Sequence, residues 1–255
     1  MALQLEKNCI CGILKQHYVL TGIFQFMAAA KKSTSMGIAY EKIMQKIMAE
    51  QLLPGTPLRE ERLAEEFGIS ATPVREAFRR LEYEGWVQSK PYQGCFMRKF
   101  TRRDIDELFQ LREMLEGMAA AAAAREAKPE DLVKMKECLT AEEDYLLKSA
   151  ASCQTDNVSP TLYEDLDFHT AIADASCNQL LKQRLSMLKS QIYLSFMLRR
   201  KISGDLAEQT RVFEEHTMIY NAIVRKWDDL AESLMRRHIA DARNKYTVLS
   251  IDFDE

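Results

Sequence analysis

The segment GISATPVREAFRRL, residues 68–81, leaves a chain few ways to fold around it. Gly68 supplies the positive φ of a tight helix exit. Ser70 and Thr72 can cap exposed amides, and Pro73 is harmless only in a first helical turn, where its missing N–H would have no intrahelical partner. Proline therefore marks a start. Val74, Ala77, Phe78 and Leu81 then fall at i, i+3, i+4 and i+7, a stripe that has to be buried. Arg75, Arg79 and, toward the flank, Arg80 lie off that stripe, so the helix hides one side and offers its start and outer side to something anionic.

The flanking residues supply what the stripe packs on. Ile38, Ile43, Ile47 and Met48 are at helical spacing in a helix from Ile38 to Gln51, which LLPGTPL breaks at Pro54 and Gly55. A short second helix, about Arg59 to Phe67, presents Leu63, Ala64 and Phe67 on one side. After Gly85, WVQSKPYQGCFMRKF reads as two short strands joined at Pro91 to Gly94, a wing that places Lys90 and Arg98 to reach phosphates. Helix, short helix, glycine turn and capped helix make a helix-turn-helix pattern, whose last helix enters the major groove of DNA. Charge agrees: residues 71–103 carry eight basic and three acidic residues, a net +5, whereas residues 104–255 carry 19 and 28, a net −9. A basic segment inside an acidic protein is a local anion-binding footprint, and a charged, solvated helix face is the plainer account of the same residues.

At 255 residues and 47% hydrophobic, the chain has material for two ordinary cores. Its six cysteines form no CxxC pair and no metal-finger spacing, so reduced thiols in a cytoplasm are expected. Residues 1–36 read as an N-terminal extension, either a disordered accessory tail or upstream sequence, because MGIAYEKIMQKI at Met36 already begins like a folded domain. Lys15, Gln16 and His17 interrupt its apolar run before the roughly 18 to 20 residues a membrane helix needs. Tyr18 to Ala30 has the outline of a signal-peptide core, but the stretch before it is long and holds two lysines.

From Thr101 onward the pattern is helical. Thr101 with Asp104 is a capping-box variant, Pro129 opens the next helix, and KSAASCQTDNVSP reads as a loop. Helices follow near Thr161–Ala175, Asn178–Met197, Leu206–Arg225 and Asp228–Leu249, an all-α bundle. The small residues of AAAAAAREA suit a bundle interior or a dimer seam, and the thirteen methionines suit core filling. Three of the four histidines fall here. Asp165 and His169 are four apart, on one face of one helix. His216 and His238 are each 11 residues from Trp227, so a hairpin sets both roughly 16 Å from the turn and side by side. Two elements then supply two ligands each. Singly, any of these histidines is an ordinary core or surface residue; as a set, Asp and three His suit a borderline ion such as zinc, nickel, manganese or iron.

The stretch LPGTPLREERLAEEFGISATPVREAFRRLEYEGWVQSKPYQG resembles the winged helix-turn-helix domain of GntR-type bacterial transcription regulators. The resemblance implies operator contacts at Ser70, Thr72, Arg75 and Gly94. Ala71 and Glu61 depart from it, standing where members often carry an arginine and a basic residue. Residues 104–249 resemble the helical FCD ligand-binding domain of the FadR subgroup, through R-x-x-L-E at Arg112 to Glu116, D-x-x-F-H and N-x-x-L between Asp165 and Leu181, and E-H to His238. That resemblance implies a divalent ion on Asp165, His169, His216 and His238 that helps hold a small carboxylate effector. Arg112 is the candidate second effector contact, with a helix-surface ion pair as its alternative.

The expected architecture is mainly α: an extension over 1–36, a winged helix-turn-helix DNA-binding domain over 37–100, and an all-helical effector-binding and dimerisation domain over 101–255. The expected function is a cytoplasmic, homodimeric regulator, a repressor, which grips a palindromic double-stranded operator through Ser70, Thr72, Arg75, Arg79, Lys90 and Gly94 and answers to a small organic or sugar acid, with FMRKFTRRDI as the linker. It is not expected to be an enzyme or to meet a membrane. The rival is a metal-dependent hydrolase or lyase with an accessory DNA-binding domain, against which stands the lack of a general base set, nucleophile motif, P-loop or dinucleotide fingerprint. Arg75→Ala is expected to abolish specific operator binding without unfolding the chain; normal affinity in a gel-shift assay removes the reading.

Overall fold

The computed structural model describes residues 34–49, 51–152, 161–199 and 206–248. They divide into two compact units, the first holding residues up to Tyr83 together with Val87–Met97, the second holding Glu84–Trp86 and the chain from Arg98 onward.

In the first unit, helix α1 (Ser35–Met48) begins at Thr34, whose Oγ1 accepts from the Gly37 amide at 3.1 Å. It turns Ala39, Tyr40, Ile43, Met44 and Ile47 inward. Ile38, expected on that face, is 39% exposed, because the buried arc centres on Ile43 and Ile47 and Ile38 lies at its edge. Helix α2 (Glu60–Phe67) buries Leu63, Ala64 and Phe67. Gly68 ends it at φ 69°, with its amide donating to the Ala64 and Glu65 carbonyls. The left-handed exit lets α3 (Ala71–Tyr83) begin three residues on, with Pro73, Val74, Ala77, Phe78 and Leu81 buried. Both α1 and α2 pack on α3.

The wing is β2 (Val87–Lys90) and β3 (Gly94–Met97), antiparallel, with Val87 opposite Met97 and Lys90 opposite Gly94. Strand β1 (Pro57–Leu58) adds to the other edge of β3, pairing Pro57 with Phe96 and Leu58 with Cys95. The sequence predicts two strands here; the third is too short to show alternation and sits in a stretch rich in strand-breaking Pro and Gly. An edge position tolerates Pro57 because one of its sides needs no donor.

The second unit holds α4 (Arg102–Glu126), α5 (Pro129–Ser152), α6 (Thr161–Ala175), α7 (Gln179–Arg199), α8 (Leu206–Val224) and α9 (Asp228–Val248), with no strand among its described residues from 101 onward. Thr101 and Asp104 form a full capping box at the start of α4. The predicted loop at KSAASCQTDNVSP begins too early: α5 runs on to Ser152, because lysine and alanine favour helix, and the rest of that stretch lies outside the described residues. Helices α4 and α9 lie antiparallel and close together, with Gly117 of α4 against the Arg236 and Glu232 side chains, and α4 buries Ala119–Ala121, Ala123 and Ala124. Ion pairs fix the register at both ends, Arg243 to Asp106 at 2.6 Å and Arg125 to Asp228 at 2.8 Å. No helix among the described residues is long and apolar enough to cross a membrane.

A Cβ added at Gly68 would meet nothing within 4 Å. Any loss on substitution is thus backbone strain alone, and Gly68→Ala is expected to cost about 1–2 kcal/mol in thermal or urea denaturation, with Gly68→Asn recovering part of it.

Candidate metal centre and nucleic-acid interface

Burying one side of α3 decides what the other side can do. Ser70, Thr72, Arg75, Glu76 and Arg79 are all exposed. The Arg75 Nε and Nη2 atoms both reach Glu60 Oε2, at 2.8 and 2.7 Å. This pair is half in solvent, where such pairs contribute little to stability, so an incoming phosphate or base edge can take the guanidinium over at small cost. Arg80 is committed inward, its guanidinium 4.1 Å from the Tyr40 ring. On the wing, Lys90 is exposed with Nζ 5.4 Å from the Phe96 ring, and Gly94 is exposed at φ 97°. Arg98 is half-buried, 4.7 Å from the Phe100 ring. Tyr92, which the sequence did not single out, sits at the wing tip with φ 62° and its side chain fully in solvent. Of the two departures, Glu61 is exposed and Ala71 half-buried.

The second constellation lies inside the helical unit. His169 on α6, His216 on α8 and His238 on α9 are buried, and one ring nitrogen of each lies within 4.8 Å of the others'. Ring centroids are 5.3 Å apart for His169 and His216, 5.2 Å for His169 and His238, and 4.8 Å for His216 and His238. The last distance is what equal spacing from the α8–α9 turn predicts. Asp165 belongs to α6, one turn before His169, and its side chain lies outside those described.

Each imidazole also meets a carboxylate through Nδ1. His216 Nδ1 is 3.0 Å from Glu142 Oε2, His238 Nδ1 is 2.8 Å from Glu215 Oε2, and His169 Nδ1 contacts Glu116 Oε2. Glu116 in turn accepts from Arg112 Nε at 2.7 Å. Burial works against ionisation of Glu116, and the adjacent Arg112 guanidinium and His169 ring outweigh it, holding the carboxyl at about 2. Burial likewise opposes ionisation of Glu215, whose pKa is nevertheless lowered by His238 together with Arg211 and Lys245.

Arg112 therefore is not a helix-surface ion pair. It is 1% exposed, stacked 5.0 Å from Phe109, and joined through Glu116 to His169. Glu142 was missed in the sequence, and Glu116 and Glu215 stood in the quoted motifs without a role, although a signal existed. Arg112 and Glu116 interrupt the buried face of α4, and Glu142 falls at helical spacing within Met135, Leu139 and Leu146, the buried stripe of α5.

The donor set fits a transition ion. A carboxylate accepts and cannot donate, so in the neutral ring each Nδ1 would carry the hydrogen and each Nε2 would keep its lone pair, the arrangement in which histidines bind metals. His169, His216 and His238 would be the ligands, and the ion would supply a positive Lewis-acidic centre able to bind an anion.

A family model described as the FCD domain matches residues 107–241, and one described as bacterial regulatory proteins, gntR family, matches residues 37–97. The chain is 30% identical over 225 residues to the HTH-type transcriptional regulator LutR of Bacillus subtilis (strain 168), covering 80% of this chain and 96% of that one. It is 23% identical over 206 residues to the HTH-type transcriptional repressor RspR of Escherichia coli (strain K12), covering 79% and 84%. Among solved structures, E. coli McbR/YncC has the same fold, with a TM-score of 0.68 at 21% identity over 84% of this chain and 98% of that one. The hydrolase or lyase alternative finds no support in these relatives, which are transcription regulators.

His216→Ala is expected to lower the zinc content of protein dialysed against zinc to background in elemental analysis, whereas removing an exposed histidine-free ion pair, as in Arg125→Ala, leaves it unchanged.

Proposed function

We propose that this chain, which belongs to the GntR family of bacterial regulatory proteins and carries an FCD domain, represses its target until a small organic or sugar acid binds beside an ion in the helical unit. It is a DNA-binding transcription regulator, working in the cytoplasm. The observation that carries the effector reading is the convergence of three buried imidazoles from three helices on one point. Asp165 completes the ligand set, and the ion, zinc, nickel, manganese or iron, binds the effector carboxylate.

Operator contact falls to Ser70, Thr72, Arg75, Arg79, Lys90 and Gly94. The chain works as a homodimer on a palindromic operator, two copies presenting two α3 helices to successive major-groove faces. Leu111, Met114 and Met118, spaced i, i+3 and i+7 on the outer side of α4, are each about half exposed and support that assembly as a surface to be covered. Arg112 acts on the effector site through Glu116 and His169.

A ligand moves an equilibrium only by binding its two states unequally. The acid therefore stabilises the arrangement of the chain that grips DNA poorly. Thermal-shift profiling against sugar acids and dicarboxylates, with and without divalent ions, tests this. At a hundredfold excess over Kd the right acid contributes about 2.7 kcal/mol, a rise of roughly 5–10 °C, and weakens operator binding in the same buffer. The same rise after exhaustive chelation would sink the ion's part in the reading.

A further inference from the structure

Helix α5 contributes no imidazole to the cluster, yet Glu142 on it is 1% exposed. The residue lies between Leu139 and Leu146 on a stripe that also contains Met135, where helical spacing calls for an apolar side chain. Among the described residues its carboxylate has one hydrogen-bond contact, Nδ1 of His216 at 3.0 Å. A leucine would fill the position and spare the burial of a carboxylate, but it would leave the buried Nδ1–H of His216 without the Glu142 acceptor. Leucine could not orient a ring.

We infer that Glu142 is a positioning residue for the ion, an inference that rests on the metal reading above. By accepting the Nδ1 hydrogen of His216 it favours the tautomer with a bare Nε2 and fixes the plane of the ring within the cluster it makes with His169 and His238. The effect runs both ways: a metal-bound imidazole is a stronger N–H donor, and a carboxylate partner makes the ring a stronger ligand. Glu215 does the same for His238 at 2.8 Å, and Glu116 for His169.

The three contacts each join different helices. Glu116 of α4 meets His169 of α6, Glu142 of α5 meets His216 of α8, and Glu215 of α8 meets His238 of α9. An ion held by the three imidazoles would thereby secure α4, α5, α6, α8 and α9 together, although only three of them carry those ligands. Within this ring, Glu142 is what ties α5 to the ion.

The test uses the full chain, stripped with a chelator, as wild type, Glu142→Leu and Glu142→Gln. Zinc affinity is read by competition with a chromophoric chelator, ligand geometry by the visible spectrum of the cobalt form, and stability by melting without metal. Glu142→Leu, which leaves the His216 Nδ1–H without this acceptor, is expected to melt below the wild-type temperature when stripped, and to bind zinc about ten- to a hundredfold more weakly with an altered cobalt spectrum. Glu142→Gln, which keeps an acceptor and loses the charge, is expected to weaken zinc binding about tenfold; it carries the test should the leucine variant not fold. Wild-type zinc affinity and cobalt spectrum in the folded variants overturn the inference and leave the metal reading standing. A wild-type chain that takes up neither ion removes the metal reading, and this inference with it.

Discussion

Three imidazoles, their three carboxylates and Arg112 sit in a bundle whose described core is otherwise mostly aliphatic and aromatic, and the arrangement of the helical unit follows from satisfying them. Glu116, Glu142, His169, His216 and His238 are all buried, and an unpaired polar group in such a place costs several kcal/mol. Each imidazole therefore takes a carboxylate from a neighbouring position, and the pairings specify which helices stand next to which. Aliphatic contacts alone would tolerate sliding one helix along another by a turn. A hydrogen bond at 2.8 or 3.0 Å between α8 and α9, or between α5 and α8, does not. The ion pairs at the two ends of α4 and α9 act in the same sense but in solvent, where their contribution is small.

Legibility in the sequence depended on how much of each signal was local. The third helix of the first unit could be read almost residue by residue, because Pro73, Gly68 and the stripe of Val74, Ala77, Phe78 and Leu81 all state their requirements within one helical length. The pairing of His216 with His238 was legible for a similar reason, since one turn at Trp227 and a fixed rise per residue place both. Strand β1 was not, because Pro57 and Leu58 become a strand only by adding to β3, nearly forty residues later. Glu142 was not, because its partner His216 is 74 residues away. A carboxylate on an apolar stripe announces that it needs a partner and does not say which.

The reading face of α3 shows the same economy in a solvated setting. Its arginines divide by where the helix places them: Arg80 folds back over Tyr40, while Arg75 is held at the surface by Glu60. An arginine held in a defined orientation before DNA arrives loses less side-chain entropy on binding than a freely rotating one. On the operator contact proposed for Arg75, Glu60 would orient the side chain that it then has to yield. The neighbouring Glu61 and the small Ala71 remove positive charge and reach from the same edge of the helix pair. On the proposed contacts, operator affinity would come from α3 and the wing, where Lys90 and Gly94 lie exposed, with less from the start of α2.

Regulation joins these two chemistries through linkage. Whatever factor the effector takes from operator affinity, the operator takes from effector affinity, so a repressor of this kind on its DNA is a poorer sensor than the same protein free. Couplings of this sort amount to about 1–3 kcal/mol, more than an exposed ion pair such as Arg75 with Glu60 supplies. A buried, ion-centred ring can supply it, because displacing one carboxylate or one imidazole in a low-dielectric interior changes the energy by that amount or more. On the proposed reading, the histidine cluster is where energy is concentrated in few atoms, and an effector carboxylate added to an ion held there would be the kind of perturbation that biases the chain.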